Sequence, residues 1–205
     1  IDRSLVGSEM CIRDRASSGI DICSRALILI GADPITSFQD ASTEAKVAVN
    51  VYEDVARSAL VNSRWRFATN QNKLSLLTAT PTGRYAIAHQ LPTDLLMLHA
   101  VTVNDNQIEY AVYGNKVFSD SASTDELVAD YTFRANEKTW PSYFTLAVEY
   151  SLAIIFATSI ARDSSLAKLM QDQAERAMAK ARNLDSQQQT TRKLTSSRFI
   201  TSRLS

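Results

Sequence analysis

The segment from Pro141 to Ala161 constrains this chain more than any other, because its only charged residue is Glu149. Phe144, Val148, Leu152, Ile155 and Ser159 recur at helical spacing, and Pro141 suits the first turn of a helix. A helix that is apolar nearly all round is stable in water only when other elements surround it, so 141–162 is predicted to be the central helix of a bundle. The continuous apolar run, Tyr150 to Ala161, is shorter than the about 20 residues a bilayer crossing needs, and it follows Glu149 directly. That pattern predicts a core helix.

Three further segments have the amphipathic period that can surround it. In 18–30, Ile20, Cys23, Leu27 and Ile30 share a face, Ser17 or Ser18 can cap the start, and Gly31 offers a left-handed stop before Asp33-Pro34. In 43–63, Ala45, Val49, Tyr52, Ala56, Ala59 and Leu60 line one side, with Glu44, Glu53, Asp54 and Arg57 opposite. In 165–184, Leu166, Leu169, Met170, Ala174, Ala177, Met178, Ala181 and Leu184 form a narrower stripe, and Asp172 and Arg176 can pair across one turn.

The middle, about 67–135, reads as β structure. Candidate strands are Lys73 to Leu77, Tyr85 to Ala88, Leu95 to Val103, Gln107 to Tyr113, Lys116 to Ser119 and Leu127 to Phe133. Asn104-Asp105-Asn106 and Gly114-Asn115 supply residues that tolerate positive φ in tight turns. Short strands joined this way predict antiparallel pairing. The expected class is α+β: a bundle of about four helices with an inserted antiparallel β meander and an extended C-terminal tail, the folded part covering 18–184.

The two ends differ from this patterned middle. Ile1 to Arg15 mixes Arg, Asp and Ser without a period, reads like translated linker sequence, and lacks the apolar stretch of a secretory leader. Residues 1–17 are therefore expected to be a non-native or disordered extension, the alternative being an arm that swaps onto a neighbour. Residues 185–205 are mostly Ser, Thr, Gln and Arg, with no acid after Asp185. Such a segment cannot fold alone. Yet Leu194, Phe199, Ile200 and Leu204 alternate with Arg192, Lys193, Arg198 and Arg203, a mixture suited to ordering against a partner surface.

Little in the sequence points to chemistry. The 5 Gly form neither a P-loop nor a dinucleotide fingerprint. His89 and His99 are the only histidines and have no Cys or second His at ligand spacing, so no metal and no cofactor is expected. Cys11 and Cys23 make no disulfide framework, and Cys23 falls on a buried helical face. Neither Cys23 nor Ser24 sits in a nucleophile elbow. Glu149 is the most interesting carboxylate, a candidate acid for glycoside cleavage; facing the subunit surface or pairing with an Arg is the simpler reading. Trp65, Phe67, Tyr85, Trp140, Tyr143 and Phe144 could stack bases or sugars, but most of them lie where helices meet the β region, which favours core packing. With 22 basic and 22 acidic residues, formal charge is zero, and a subunit that grips nucleic acid by itself is disfavoured.

A set of local motifs in a fixed order does point somewhere. Leu-Ile-Gly-x-x-Pro-Ile-x-Ser ends at Ser37, and Trp65-x-Phe67-Ala68 follows after the second helix. Then come Leu91-Pro92-Thr93-Asp94-Leu95, Tyr113-Gly114-Asn115, Tyr131-Thr132-Phe133-Arg134, Trp140-Pro141-x-x-Phe144, and Ala181-Arg182-x-x-Asp185. Over Gly19 to Gln189 the chain resembles the podovirus tail tubular protein A family, the head-to-tail adaptors. The resemblance implies a structural virion protein and no enzyme. It implies a homo-oligomeric ring, usually a dodecamer, between the portal protein and a tail nozzle resembling tail tubular protein B. DNA would pass through the lumen without sequence-specific binding, and no membrane partner is implied. The subunit would reside in the virion tail, and in the host cytoplasm during assembly. On this reading Arg192, Lys193, Leu194, Arg198, Phe199, Ile200, Arg203 and Leu204 form a portal-binding tail. The alternatives are a virion-associated cell-wall or polysaccharide hydrolase using Glu149 and, ranked last, a helical nucleic-acid module.

Overall fold

The computed structural model describes residues 18–78, 81 and 83–188. The expectations for 1–17, including Cys11, and for the tail beyond Gln188 lie outside the described residues.

Helix α1 spans Gly19–Leu29. The Ser18 hydroxyl accepts from the Asp21 amide at 3.2 Å and so satisfies one of the orphan N–H groups of the first turn. Gly31, at φ 76°, ends the helix, and the amides of Gly31 and Ala32 turn back onto the carbonyls of Ile28 and Leu27. Helix α2, Thr43–Val61, is capped by Ser42. A Cβ on Gly19 would sit 2.6 Å from the Tyr52 ring, so glycine there allows α1 to approach α2.

Helix α3 spans Ser142–Ser159 and begins one residue after Pro141, which occupies the cap position itself. It packs against α1 and α2, and against helix α4, Ser164–Ser186. The connection between α3 and α4 is so short that the two must run antiparallel, with Arg162 in the left-handed region at φ 53° and Asp163 capping α4. The whole of α3 is long and apolar enough, by composition, to cross a bilayer; half of it is buried inside the fold. The central position expected from its apolar circumference is observed.

The strands are β1 Thr69–Lys73, β2 Ser75–Leu76, β3 Ile87–Gln90, β4 Leu95–Val103, β5 Asn106–Gln107, β6 Ala111–Tyr113, β7 Lys116–Ser119 and β8 Leu127–Phe133. All pairings are antiparallel, which fits the α+β class. The connectivity departs from a simple meander. One sheet has the order β1-β8-β4-β5 and the other β2-β3-β7-β6, so only the β2–β3, β4–β5 and β6–β7 contacts join sequence neighbours. The chain passes between the sheets four times, at β1–β2, β3–β4, β5–β6 and β7–β8; β1 turns into β2 through Leu74, whose amide donates to Leu127 O, and β5 passes into β6 through residues 108–110. That crossing is why the single strand expected over Gln107 to Tyr113 is two short ones. Ile108 donates to Val101 O and packs, with Tyr110, against the β core instead of continuing a ladder.

The two sheets close over Leu74, Leu91, Val101, Val117, Leu127, Ala129 and Tyr131. The β4–β5 turn uses left-handed Asn104 and Asp105, and the β6–β7 turn uses Gly114 at φ 59°, at the positions that turn chemistry pointed to. The helices enclose a second, larger core running from Ile22 and Leu27 to Leu152 and Phe156.

Candidate assembly surface and the junction behind it

Four aromatics from two separated motifs meet where the helices join the β module. Phe144, on the first turn of α3, lies 5.0 Å from Trp65, 4.9 Å from Phe67 and 4.9 Å from Trp140, ring centroid to centroid. Both indoles are buried with their N–H groups satisfied, Trp65 by Ala59 O at 2.9 Å and Trp140 by Ala135 O at 3.0 Å. Their role is packing, not a stacking platform for bases or sugars.

Around this cluster lie two polar clamps. Arg134, just beyond β8, donates to Glu53 on α2 through Nε and Nη2, each at 3.0 Å, and to Glu137 through Nη2 at 2.6 Å. It also caps Ala135 O and sits 5.4 Å over the Trp140 ring. Tyr52 donates to the same Glu137 at 2.8 Å. These bonds hold the Glu53 carboxyl below its usual range, chiefly through Arg134. Burial pushes Glu137 upward, but the bonds from Arg134 and Tyr52 bring it below the usual range.

Asp185 makes the second clamp. Its carboxylate accepts from the Arg66 amide at 3.1 Å and from Tyr143 Oη at 2.9 Å, while Arg66 Nε reaches its carbonyl at 3.0 Å. Burial, then the bond to Asp185, push the Tyr143 phenol up to about 12. This corrects the expectation that the tail begins at 185. Asp185 is buried and α4 continues to Ser186, because the clamp ties the last turn to the start of the β module.

On the outside, each helix carries a large apolar side chain left in solvent: Ile28 on α1, Val49 and Val61 on α2, Leu146 on α3 and Leu169 on α4. The β module adds Leu76, Met97, Val112 and Tyr113. Val49, assigned from its spacing to the apolar side of α2, is 51% exposed. Leu169, placed on the inner stripe of α4, is likewise exposed at 51%. The buried contacts of these helices are made by Ala48 and Met170 instead.

The residues singled out for chemistry are placed as follows. Cys23 is fully buried, and burial pushes its thiol up to about 12. Among the described residues no group of three or more His, Cys, Asp or Glu side chains is placed to hold a metal. His99 Nε2 lies 2.8 Å from Thr132 Oγ1, a packing contact within one sheet. Glu149 is 6% exposed in the α1–α3 contact, with Arg25 Nη1 3.8 Å from its Oε1, and that oxygen has no hydrogen-bond partner among the described residues. Burial pushes this carboxyl up to about 7, with Arg25 acting weakly against it. The pairing with an Arg is thus present, at a loose distance. Arg192, Lys193, Leu194, Arg198, Phe199, Ile200, Arg203 and Leu204 lie outside the described residues. Arg134 and Asp185 enter the sequence reading only as letters in local motifs. Nothing in their spacing tells that each bridges segments more than 80 residues apart.

No curated protein matches the chain. A family model described as tail tubular protein matches residues 20–191, most of the sequence and all of the helices but the first residue of α1. The match takes in both clamps and the aromatic cluster between them, and the chain belongs to the tail tubular protein family, structural components of the virion tail.

Proposed function

We propose that this chain is the subunit of a closed ring, a head-to-tail adaptor seated between the portal and the tail nozzle, with DNA passing through its lumen. The observation that carries this reading is the exposure of large apolar side chains on every helix of a layer whose interior is otherwise well packed. Such residues gain stability when covered, and in a ring each subunit covers its neighbour's. A head-to-tail contact closes into a ring when the rotation between neighbours divides the circle, and many weak contacts then add up to a stable annulus. A dodecamer is the stoichiometry the resemblance implies.

The charge balance supports a passive lumen. With equal numbers of acids and bases, a subunit supplies no basic excess to hold phosphates, which suits DNA that must slide and leave. In this reading the tail after Gln189 lies along the portal. Leu194, Phe199, Ile200 and Leu204 fill apolar grooves there, while Arg192, Lys193, Arg198 and Arg203 pair with acids. Assembly takes place in the host cytoplasm and the product is carried in the virion tail.

The role is structural and not enzymatic. Nothing about Glu149 favours the hydrolytic alternative, since its side chain is shut between two helices with an Arg beside it. Deletion of residues 190–205 is the direct test: the subunit should keep its helical circular dichroism and lose co-sedimentation with portal. Portal binding at the full-length level by the truncated chain would refute the assignment of the tail.

A further inference from the structure

Helix α1 rests chiefly on one neighbour. It packs on α3, touches α2 only lightly, and is joined to α2 through turns and bends over 31–42, beginning at left-handed Gly31. A helix of 11 residues is marginal by itself in water, so α1 stays helical only while it is docked. Its inner face, Ile22, Cys23, Ala26 and Leu27, is fully buried. Into the same contact α3 places Glu149, its only charged residue. The Glu149 side chain is buried beside Arg25, whose Nη1 at 3.8 Å is too far for a hydrogen bond, and Oε1 has no hydrogen-bond partner among the described residues. An ionised carboxylate so placed lacks the bonds that would offset its desolvation, whereas the neutral acid costs far less to bury. Docked α1 therefore favours the protonated carboxyl. Lifting α1 away admits water on the side that Arg25 occupies, and favours the ion.

We propose that α1 is a detachable arm latched by a proton: it lies on α3 while the Glu149 carboxyl is neutral and lifts off as that carboxyl ionises. Burial pushes the carboxyl up to about 7, which sets the latch near neutrality. Few charges act on it. From α1, Arg25 favours the ion weakly, and Asp21, one turn earlier, accepts from the Ser18 hydroxyl at 2.8 Å. Among the described residues no ionisable side chain of α2 or α4 shifts this carboxyl. A group that loses its proton more readily in the open form is opened by rising pH, so release grows until the docked acid is itself ionised. The link over 31–42 keeps the arm tethered, and Ser24 Oγ, which donates to Ile35 O at 2.6 Å, ties the start of that link to α1. Release uncovers Ile22, Ala26 and Leu27 together with their seat on α3, so this apolar surface is presented above the switching pH and hidden below it. The inference is independent of the ring reading, because it concerns a motion within one subunit.

Hydrogen exchange of the full chain, read by mass spectrometry over a series of pH values and corrected for the intrinsic rate, separates release of the arm from unfolding of the whole. Protection of α1 peptides should fall about tenfold for each pH unit between about 5 and 7, then level off. Peptides from α4, which is clamped to the junction through Asp185, should keep their protection over the same range. In Glu149→Gln the slope in α1 should vanish while α4 stays at the wild-type level, which reports the intact fold. Cys23 supplies a second reading, since its thiol is buried on the inner face of α1. Its alkylation, located by peptide mapping, should be faster in the wild type than in Glu149→Gln at about pH 8 and equal in the two at about pH 5; comparison at one pH cancels the ionisation of the thiol itself. Protection of α1 that ignores pH, the same slope in Glu149→Gln, or a parallel loss in α4 would each overturn the assignment.

Discussion

The helical layer and the β module bury their apolar residues in different ways. The helical core joins 20 buried residues drawn from all four helices and the junction, while the β core closes over seven. The larger core contains the tryptophans and Phe144, and the smaller has one large aromatic, Tyr131. Conversely, the clefts at the far end of the β module are lined by acids and hydroxyls, such as Asp120, Ser121 and Asp125. The layer with the bigger core thus also exposes apolar residues on each helix, and the module with the smaller core exposes a mainly polar tip. In the ring proposed above, the helical layer would pack against other copies of the chain. Arg134 and Asp185 couple the two parts within the subunit.

The largest expected effect comes from the point where both parts meet. Phe144→Ala removes the ring touched by Trp65, Phe67 and Trp140, and should cost about 3–5 kcal/mol in urea unfolding. If tryptophan fluorescence and the β-sheet signal are lost together, the two cores unfold as one; separate transitions would mean the junction does not couple them. Arg134→Met should come next, at about 3 kcal/mol, because Glu53 and Glu137 lose the cation that both carboxylates share. The double change with Glu137→Gln should recover part of that loss. A simple additive sum would mean the clamp is not a coupled network.

Glu149 sharpens the contrast within the helical layer. Its carboxyl is raised to about 7 in the fold, above the ordinary value near 4.5, so the folded state binds a proton that the unfolded chain has released. The stability this provides is fully present below about pH 4.5 and is lost as pH rises through 7. Glu149→Gln should therefore flatten the stability profile across that window by about 2–3 kcal/mol, seen as thermal unfolding at a series of pH values. An unchanged slope would show that the carboxyl is better solvated than its 6% exposure implies. The smallest effect should come from Lys73→Met. The exposed Lys73–Glu126 pair is worth about 0.5 kcal/mol or less to stability, and its loss should leave the urea midpoint nearly unmoved.

How much of this was legible in the sequence follows from the range of each interaction. The central place of α3 could be read because its composition leaves no polar face to expose. The ends of α1, the Asn104-Asp105 turn and the strands Leu95–Val103, Lys116–Ser119 and Leu127–Phe133 were readable because caps, turns and alternation are local. Partition into two sheets was not readable: Leu74 and residues 108–110 turn corners whose reason is a core built from strands far away in the chain. Arg134 and Asp185 carried no periodic signal, since a clamp needs only one residue at one place. Helical spacing assigned Val49 and Leu169 to inner faces, and the fold leaves both in solvent. A spacing rule sees a buried face and a face awaiting a partner as the same pattern.

The central claim is that the apolar residues left on the helices are covered by other copies of the chain around an axis. Electron microscopy of the purified protein mixed with portal tests it most directly. The account predicts an added annulus on the portal, with the helical layers side by side and Ile28, Val49, Leu146 and Leu169 drawn into contacts between subunits. Isolated subunits bound without touching one another, or a ring joined with all four of those side chains still in solvent, would contradict it.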